Sequence, residues 1–502
     1  MAWRDRLDLV RGHELTLGTL FERLERVHGD APLVEEDGED GLRLSYAEAA
    51  ELTARWAGAI QAKITPGDRV VIAAPNGYAL VLLCAAASRA GGVAVPVNPK
   101  MRDEEVDHVV ADSEAAIVVR DTAELDGGAA IEAVHAEPDD VAALFYTSGT
   151  TGKPKGAQLT HRALVGQAGR GVLFPARLRR DEAVTGMPVA HIAGFSMLVQ
   201  AAALGVPVYL LRKFRPDTAL DAIEQRKATV FIGVPAMYRM MAEAGAETRD
   251  LSSIRLWASG ADAMPFELAK KFQRLGASAT LPFIGKSVGE AMFVDGYGMV
   301  ELGGGVALKV LPPLLPVSGA VAIPLPGFKM KVVDDEGRPV AGGTVGELVV
   351  KGPGVMRGYH GKRGATDEAL TADGWMRTGD LARRRHLGLV ELAGRKKDVI
   401  KHGGYSVFAV EVEAALGMHP AVAEAAVVGL PDERKGEVPV AAVILREGHT
   451  LTEAGLVAWA DERLSDYKVP RRVLFVSELP RTGTDKVQKA ELKKQFSADG
   501  AT

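Results

Sequence analysis

The stretch richest in groups that can do chemistry is Tyr146-Thr147-Ser148-Gly149-Thr150-Thr151-Gly152-Lys153-Pro154-Lys155-Gly156. Its three glycines let a backbone approach a ligand closely, its four Ser/Thr hydroxyls donate hydrogen bonds, and its two lysines balance negative charge. That combination suits a polyphosphate. The spacing is not that of a Walker loop, because only two residues separate Gly149 from Gly152 and Pro154 follows Lys153 where a Ser or Thr would stand. An apolar run at residues 141–145 leads into the stretch, and Thr160 is placed to cap a helix beyond it. A loop held between two such elements is better defined than a free hydrophilic turn.

Four further segments carry charged or aromatic groups beside glycine. They are Gly296-Tyr297-Gly298-Met299-Val300-Glu301, Trp375-Met376-Arg377-Thr378-Gly379-Asp380, Gly394-Arg395-Lys396-Lys397-Asp398 and Pro480-Arg481-Thr482-Gly483-Thr484-Asp485-Lys486. Glu301 on a glycine-flanked turn offers the hard oxygen that magnesium takes alongside waters. Asp380 and Lys486 would be unremarkable surface groups if met in isolation.

Taken in order over about 340 residues, the five segments resemble the signature motifs of the adenylate-forming superfamily, which comprises acyl-CoA synthetases, peptide-synthetase adenylation domains and luciferases. The resemblance implies that Thr147, Ser148, Gly149, Thr150, Thr151 and Lys155 hold the phosphates of ATP. It implies that Tyr297 stacks on adenine beside Gly298, Gly260 and Ala261, that Glu301 binds Mg2+, and that Asp380 and Arg395 hold the ribose. Lys397 would be the hinge, Lys486 the catalytic lysine, and Gly404 part of the channel for CoA. His191, in Pro188-Val189-Ala190-His191, resembles the residue beside the acyl carboxylate. Thr147, His191, Glu301 and Lys486 are thus the expected catalytic group.

The activity implied is that of an AMP-forming acyl-CoA synthetase, an acid–thiol ligase that makes an acyl adenylate and passes the acyl group to CoA. The expected pocket residues, His191, Phe195, Val234, Met237 and Gly303, are mostly apolar or small and favour a hydrophobic acid, a fatty acid first and an aryl acid as the alternative. A peptide-synthetase substrate is disfavoured, because no aspartate lies in residues 190–198 to hold an amine. A carrier protein is the alternative acyl acceptor.

Two positions depart from the motifs. Val300 replaces a threonine that contacts the α-phosphate, and Asp485 replaces the glycine before the catalytic lysine. A more distant alternative is a serine hydrolase using Ser287, since Gly285-Lys286-Ser287-Val288-Gly289 matches a nucleophile elbow. With 56 glycines in the chain, such a match arises readily by chance.

The elements that must position these groups alternate. Residues 69–75 and 92–97 read as strands around a helix at 78–89, and residues 207–211 and 228–234 as strands around a helix at 217–227, with Asp217 as a cap. Alternation of this kind predicts an α/β fold with parallel sheets and flanking helices. The expected organisation is a large N-terminal domain over residues 1–394, with a small β-barrel-like subdomain at about 312–393. A small mobile α+β domain follows at 395–502.

The chain has 502 residues with 60 basic and 65 acidic side chains, a net charge of -5 that argues against a nucleic-acid partner. One cysteine, Cys84, excludes an intramolecular disulfide and fits a reducing, cytoplasmic setting. Residues 183–211 lack Asp, Glu, Lys and Arg. Pro188, His191 and Gly205-Val206-Pro207 break them into pieces too short for an integral membrane segment.

Overall fold

The computed structural model describes residues 15–147, 154–166, 181–280, 287–311, 321–385, 389–481 and 487–499. The chain divides into two compact units, Met1–Lys329 with Lys351–Met376, and Met330–Val350 with Arg377–Thr502.

The first unit contains two large sheets and, among the described residues, a two-stranded ribbon of Ala279–Thr280 and Ser287–Val288. One runs Gly358–Tyr359, Gly156–Thr160, Val141–Tyr146, Val93–Pro96, Arg69–Ile72, Ala115–Val119. Its last four strands are parallel, and its first two are added antiparallel. The other sheet carries, in order, Val321–Pro324, Gly304–Leu311, Met292–Met299, Leu256–Gly260, Val230–Gly233, Ala183–Thr185, Val208–Leu210, Pro32–Glu36 and Arg43–Ser45. The helix Ala79–Arg89 packs on Val93–Pro96 and on the helix Ile192–Leu204. Residues 80–89 are all buried, which is why its sequence is apolar all round rather than on one stripe. No helix among the described residues is long and apolar enough to cross a membrane.

One row of side chains explains how the second sheet places the site. Val184, Phe231, Trp257 and Phe293 are register partners on neighbouring parallel strands. Tyr238 and Phe272, from two covering helices, meet Trp257 at ring-centroid distances of 6.0 and 5.0 Å. Each buried aromatic contributes roughly 1.5–3 kcal/mol by area. Because side chains alternate along a strand, the next row on this face is Gly233, Ser259, Asp295 and Lys309. The core therefore ends in polar groups at the carboxyl ends of the strands, where open α/β sheets bind ligands.

In the second unit, Lys329–Val333, Val345–Lys351, Met376–Arg384 and Val390–Arg395 lie side by side. The β-rich stretch expected at 312–393 is thus divided: Val321–Pro324 pairs with Gly304–Leu311, while residues 330–350 and 377–395 group with the C-terminal residues. Beyond them, Val422–Asp432 and Gly436–Leu445 form a long hairpin. Val427, Ala441 and Val443 face Val412, Leu416 and Leu456 on one side. Ala426, Val428, Val440 and Ala442 face Leu479, Leu492 and Phe496 on the other.

Candidate active site

The phosphate-type loop is the connection of a hairpin. Val141–Tyr146 pairs antiparallel with Gly156–Thr160, and the Thr147 amide donates to the Lys155 carbonyl at 3.0 Å to close the neck. Ser148, Gly149, Thr150 and Thr151 lie outside the described residues, as do Asp485 and Lys486. The Tyr146 hydroxyl donates to Asp112 at 3.0 Å, and Lys362 pairs with the same carboxylate at 2.8 Å.

Glu301 sits in a single 3-10 turn, Val300–Leu302, directly after the strand Met292–Met299. Gly303 ends that turn at φ +68, and a side chain there would come within 2.7 Å of the Ala163 carbonyl. Its small size permits this close approach; Gly305, in contrast, has open space. The Glu301 carboxylate is buried, 7% exposed, and accepts a 2.8 Å hydrogen bond from the Tyr359 hydroxyl. Burial, and then the Glu301 charge, push the Tyr359 phenol far above its usual range, so it remains a donor. The Lys155 ammonium lies 5.2 Å from the Tyr359 ring centroid, within cation–π reach. Tyr359 is itself fixed by pairing with Ala157. The loop neck, Lys155, Tyr359 and Glu301 therefore form one connected group.

Gly260, the last residue of Leu256–Gly260, pairs with Gly296 on the neighbouring parallel strand. The next residue, Ala261, has φ +69. Among the described residues, the other non-glycine residues in the left-handed region, Glu114 and Lys227, end helices, whereas Ala261 leaves a strand. Strain held at such a point is a signature of a working site. Tyr297 and Gly298 follow on the neighbouring strand, at an irregularity in its pairing with Gly304–Leu311. Two residues earlier, Asp295 pairs with Lys309 at 2.8 Å. Burial raises the Asp295 carboxyl, and Lys309 opposes the shift. Asp295 Oδ1 and Ser259 Oγ are buried without a hydrogen-bond partner among the described residues.

His191 is the N-cap of Ile192–Leu204, its Nδ1 accepting from the Ala193 amide at 3.2 Å. That bond fixes the proton of the neutral ring on Nε2. Asn76 steadies the approach to this cap, accepting from the Val189 amide and donating to the Arg212 carbonyl. Phe195, one turn along, is fully buried against Phe145 at 5.4 Å. Val234 caps Pro235–Glu243, in which Met237 is buried, so both follow a parallel strand's carboxyl end as Gly260 does.

In the second unit, Asp380 and Arg395 are register partners, and Arg395 Nε donates to Asp380 Oδ1 at 2.7 Å. Lys397 lies in the short turn Lys396–Asp398, where Lys396 pairs with Asp335 at 2.8 Å and with Glu347 at 3.3 Å. Gly403 and Gly404, at φ +56 and +85, form a two-residue turn between Val399–His402 and Tyr405–Phe408. Positive φ at both positions is the requirement of a type I′ hairpin.

Residues 21–137 and 122–360 match the family of AMP-binding enzymes, which spans more than half of the chain. The chain belongs to the AMP-binding enzyme family. The C-terminal domain of AMP-binding enzymes matches residues 411–486. A feruloyl-CoA synthase from an Amycolatopsis species is 36% identical over 480 residues, covering 91% of this chain and 94% of that protein. An indoleacetate–CoA ligase of Aromatoleum aromaticum is 31% identical, covering 91% and 95%. The ATP-bound crystal structure of MatB from Rhodopseudomonas palustris superposes with a TM-score of 0.84 at 30% identity, covering 95% of this chain and 99% of that one.

The geometry of this AMP-binding enzyme removes the hydrolase alternative. Ser287–Val288 pairs with Ala279–Thr280 and leads through Gly289 into another strand, whereas a nucleophile elbow needs a strand–turn–helix. Tyr359, Asp295, Lys309 and Asn76 were not foreseen. Asp295 left a trace, a charged residue in an apolar strand two places before Tyr297. Tyr359 left none, because its contact with Glu301 spans 58 residues.

Proposed function

We propose that this AMP-binding enzyme is an acyl-CoA synthetase, an acid–thiol ligase that activates a hydrophobic carboxylic acid through its adenylate. The observation that carries the reading is the joining of the loop neck, Lys155 and buried Glu301 through Tyr359. A cation and an anion held at one glycine- and hydroxyl-bearing loop suit a metal-bound triphosphate.

In the first step an acid oxygen attacks the α-phosphorus of ATP, and the bond to the pyrophosphate oxygen breaks. The resulting adenylate gives the carboxyl a leaving group it lacks. Thr147, Ser148, Gly149, Thr150, Thr151 and Lys155 hold the phosphates, while Lys486 bridges carboxylate and phosphate oxygens, which is electrostatic stabilisation and positioning. Tyr297, Gly298, Gly260 and Ala261 hold the adenine, and Asp380 with Arg395 holds the ribose. His191 donates from Nε2 to the acid. In the second step the CoA thiol attacks the acyl carbonyl, AMP leaves, and the thiol proton goes to solvent. Lys397 serves as the hinge between the steps and Gly404 lines the pantetheine path.

Magnesium fits the residues present. No group of three His, Cys, Asp or Glu side chains among the described residues forms an all-protein cage. Mg2+ is commonly held by one or two carboxylates with waters and substrate phosphates. Glu301 would be that carboxylate, and the ion would offset charge on the phosphates.

The acid is of the aryl or aryl-alkyl class rather than the fatty acid first expected from pocket composition. The names of the feruloyl and indoleacetate relatives support this, and an apolar pocket suits either class. CoA is the acceptor in preference to a carrier protein. A pyrophosphate-release screen over aryl, fatty and dicarboxylic acids tests the reading, with mass detection of the thioester from CoA or from a phosphopantetheinylated carrier. Aryl acids should give the highest kcat/KM and a CoA thioester. No acid-dependent AMP with any acid would overturn the reading.

A further inference from the structure

Tyr359 touches both charged groups at the loop neck. Its hydroxyl donates to Glu301 Oε1 at 2.8 Å, and the Lys155 ammonium lies 5.2 Å from its ring centroid. The opposite charges thus meet through an aromatic ring. Three restraints hold that ring: Tyr359 pairs with Ala157 on the strand that begins just after Lys155, its amide donates to Thr366 Oγ1 at 2.9 Å, and Gly358 before it sits at φ +154. A side chain at Gly358 would come within 2.8 Å of Thr366. Glu301 is anchored independently, its carbonyl accepting from the Met356 amide at 2.8 Å. Both ends of the tyrosine contact are therefore fixed by backbone, and the hydroxyl reaches the carboxylate without either element having to move.

This matters because Glu301 is buried while Lys155 is exposed at the loop neck, and opposite charges that share one neighbour attract. A direct ion pair between them would leave neither charge for an incoming ligand. A phenol between them satisfies one carboxylate oxygen with a neutral donor and gives the ammonium an aromatic face.

We propose that Tyr359 is a positioning residue for nucleotide binding: its hydroxyl orients the Glu301 carboxylate toward the metal of a magnesium–triphosphate ligand, and its ring keeps Lys155 from pairing with Glu301 before the ligand arrives. This rests on the nucleotide reading above but not on the identity of the acid or of the acyl acceptor.

The test is calorimetric titration of ATP into the full chain, without acid or CoA, with and without Mg2+. Tyr359→Phe keeps the ring under Lys155 and removes the hydroxyl. It should reduce the Mg2+-dependent gain in ATP affinity about tenfold, the scale of a lost hydrogen bond to a charged group, while Mg2+-free binding stays within about twofold. Tyr359→Ala should weaken binding under both conditions by letting Lys155 reach Glu301. Adding Glu301→Gln to Tyr359→Ala should then restore the Mg2+-free binding, a rescue that loss of packing would not produce. An unchanged Mg2+ gain in Tyr359→Phe overturns the proposal. So does an equal loss with and without Mg2+ that follows a lowered melting temperature. If wild-type chain binds no ATP, the nucleotide reading falls with it. If wild type binds ATP and Tyr359→Phe is indifferent, only the role of Tyr359 falls.

Discussion

Val300 precedes Glu301 in the same short turn and brings two methyl groups where the related motifs carry a hydroxyl. A hydrogen bond to a charged phosphate contributes roughly 1.5–3 kcal/mol. Val300→Thr is therefore expected to raise acid-dependent pyrophosphate release, by about tenfold at the lower end of that range. A rate that stays level or drops would mean that another donor already serves the α-phosphate. At this scale the sequence is informative where chemistry is local: Glu301, Lys155 and Asp380 each stand inside a short motif. It is silent where chemistry is assembled from afar. The hydroxyl on Glu301 comes from Tyr359 and the ammonium on Asp295 from Lys309, and neither spacing leaves a periodic signal. Gly303 shows a subtler limit. Its lack of a side chain also answers to the Ala163 carbonyl, a neighbour that no local pattern announces.

Elements were easier to foresee than their contacts. Strands expected at 69–75 and 92–97 are found at Arg69–Ile72 and Val93–Pro96, with the helix Ala79–Arg89 between them. Thr160 caps His161–Val165 as expected, accepting from the Ala163 amide. Asp217 does not cap its helix. Pro216 takes the first helical position, where a missing amide proton costs nothing, and Asp217 falls inside the first turn. The short helix after Thr160 also predicts acid sensitivity. His161 is 3% exposed and its Nδ1 accepts the Leu17 amide at 3.0 Å. Burial lowers its pKa from 6.5 to about 4, with Asp140 opposing. Below pH 6.5 the unfolded chain gains a proton that the folded chain refuses until about pH 4. Stability present above pH 6.5 should therefore be lost as the pH falls through that window, by about 3 kcal/mol in all. His161→Asn, which retains an acceptor, should flatten the melting temperature against pH over this range. A slope equal to that of wild type would assign the acid sensitivity elsewhere.

For the whole molecule, the proposed division of labour between two half-reactions predicts separable defects. Lys486→Ala should abolish adenylate formation yet still convert supplied acyl adenylate and CoA to thioester. Lys397→Pro, which fixes φ near −65° and removes a backbone donor, should form adenylate and fail at the thioester. Single-turnover assays of each half-reaction distinguish these outcomes, and equal losses in both assays for either variant would contradict the division. The long hairpin of Val422–Asp432 and Gly436–Leu445 carries a consequence of its own. Both its faces are covered by helices drawn from the same C-terminal stretch, so its apolar surface asks little of the rest of the chain. Such a module is portable: exchanged as a cassette between relatives, it would bring its own interior with it. Engineering of the thioester step could then proceed by transplantation, leaving acid selection to the host scaffold.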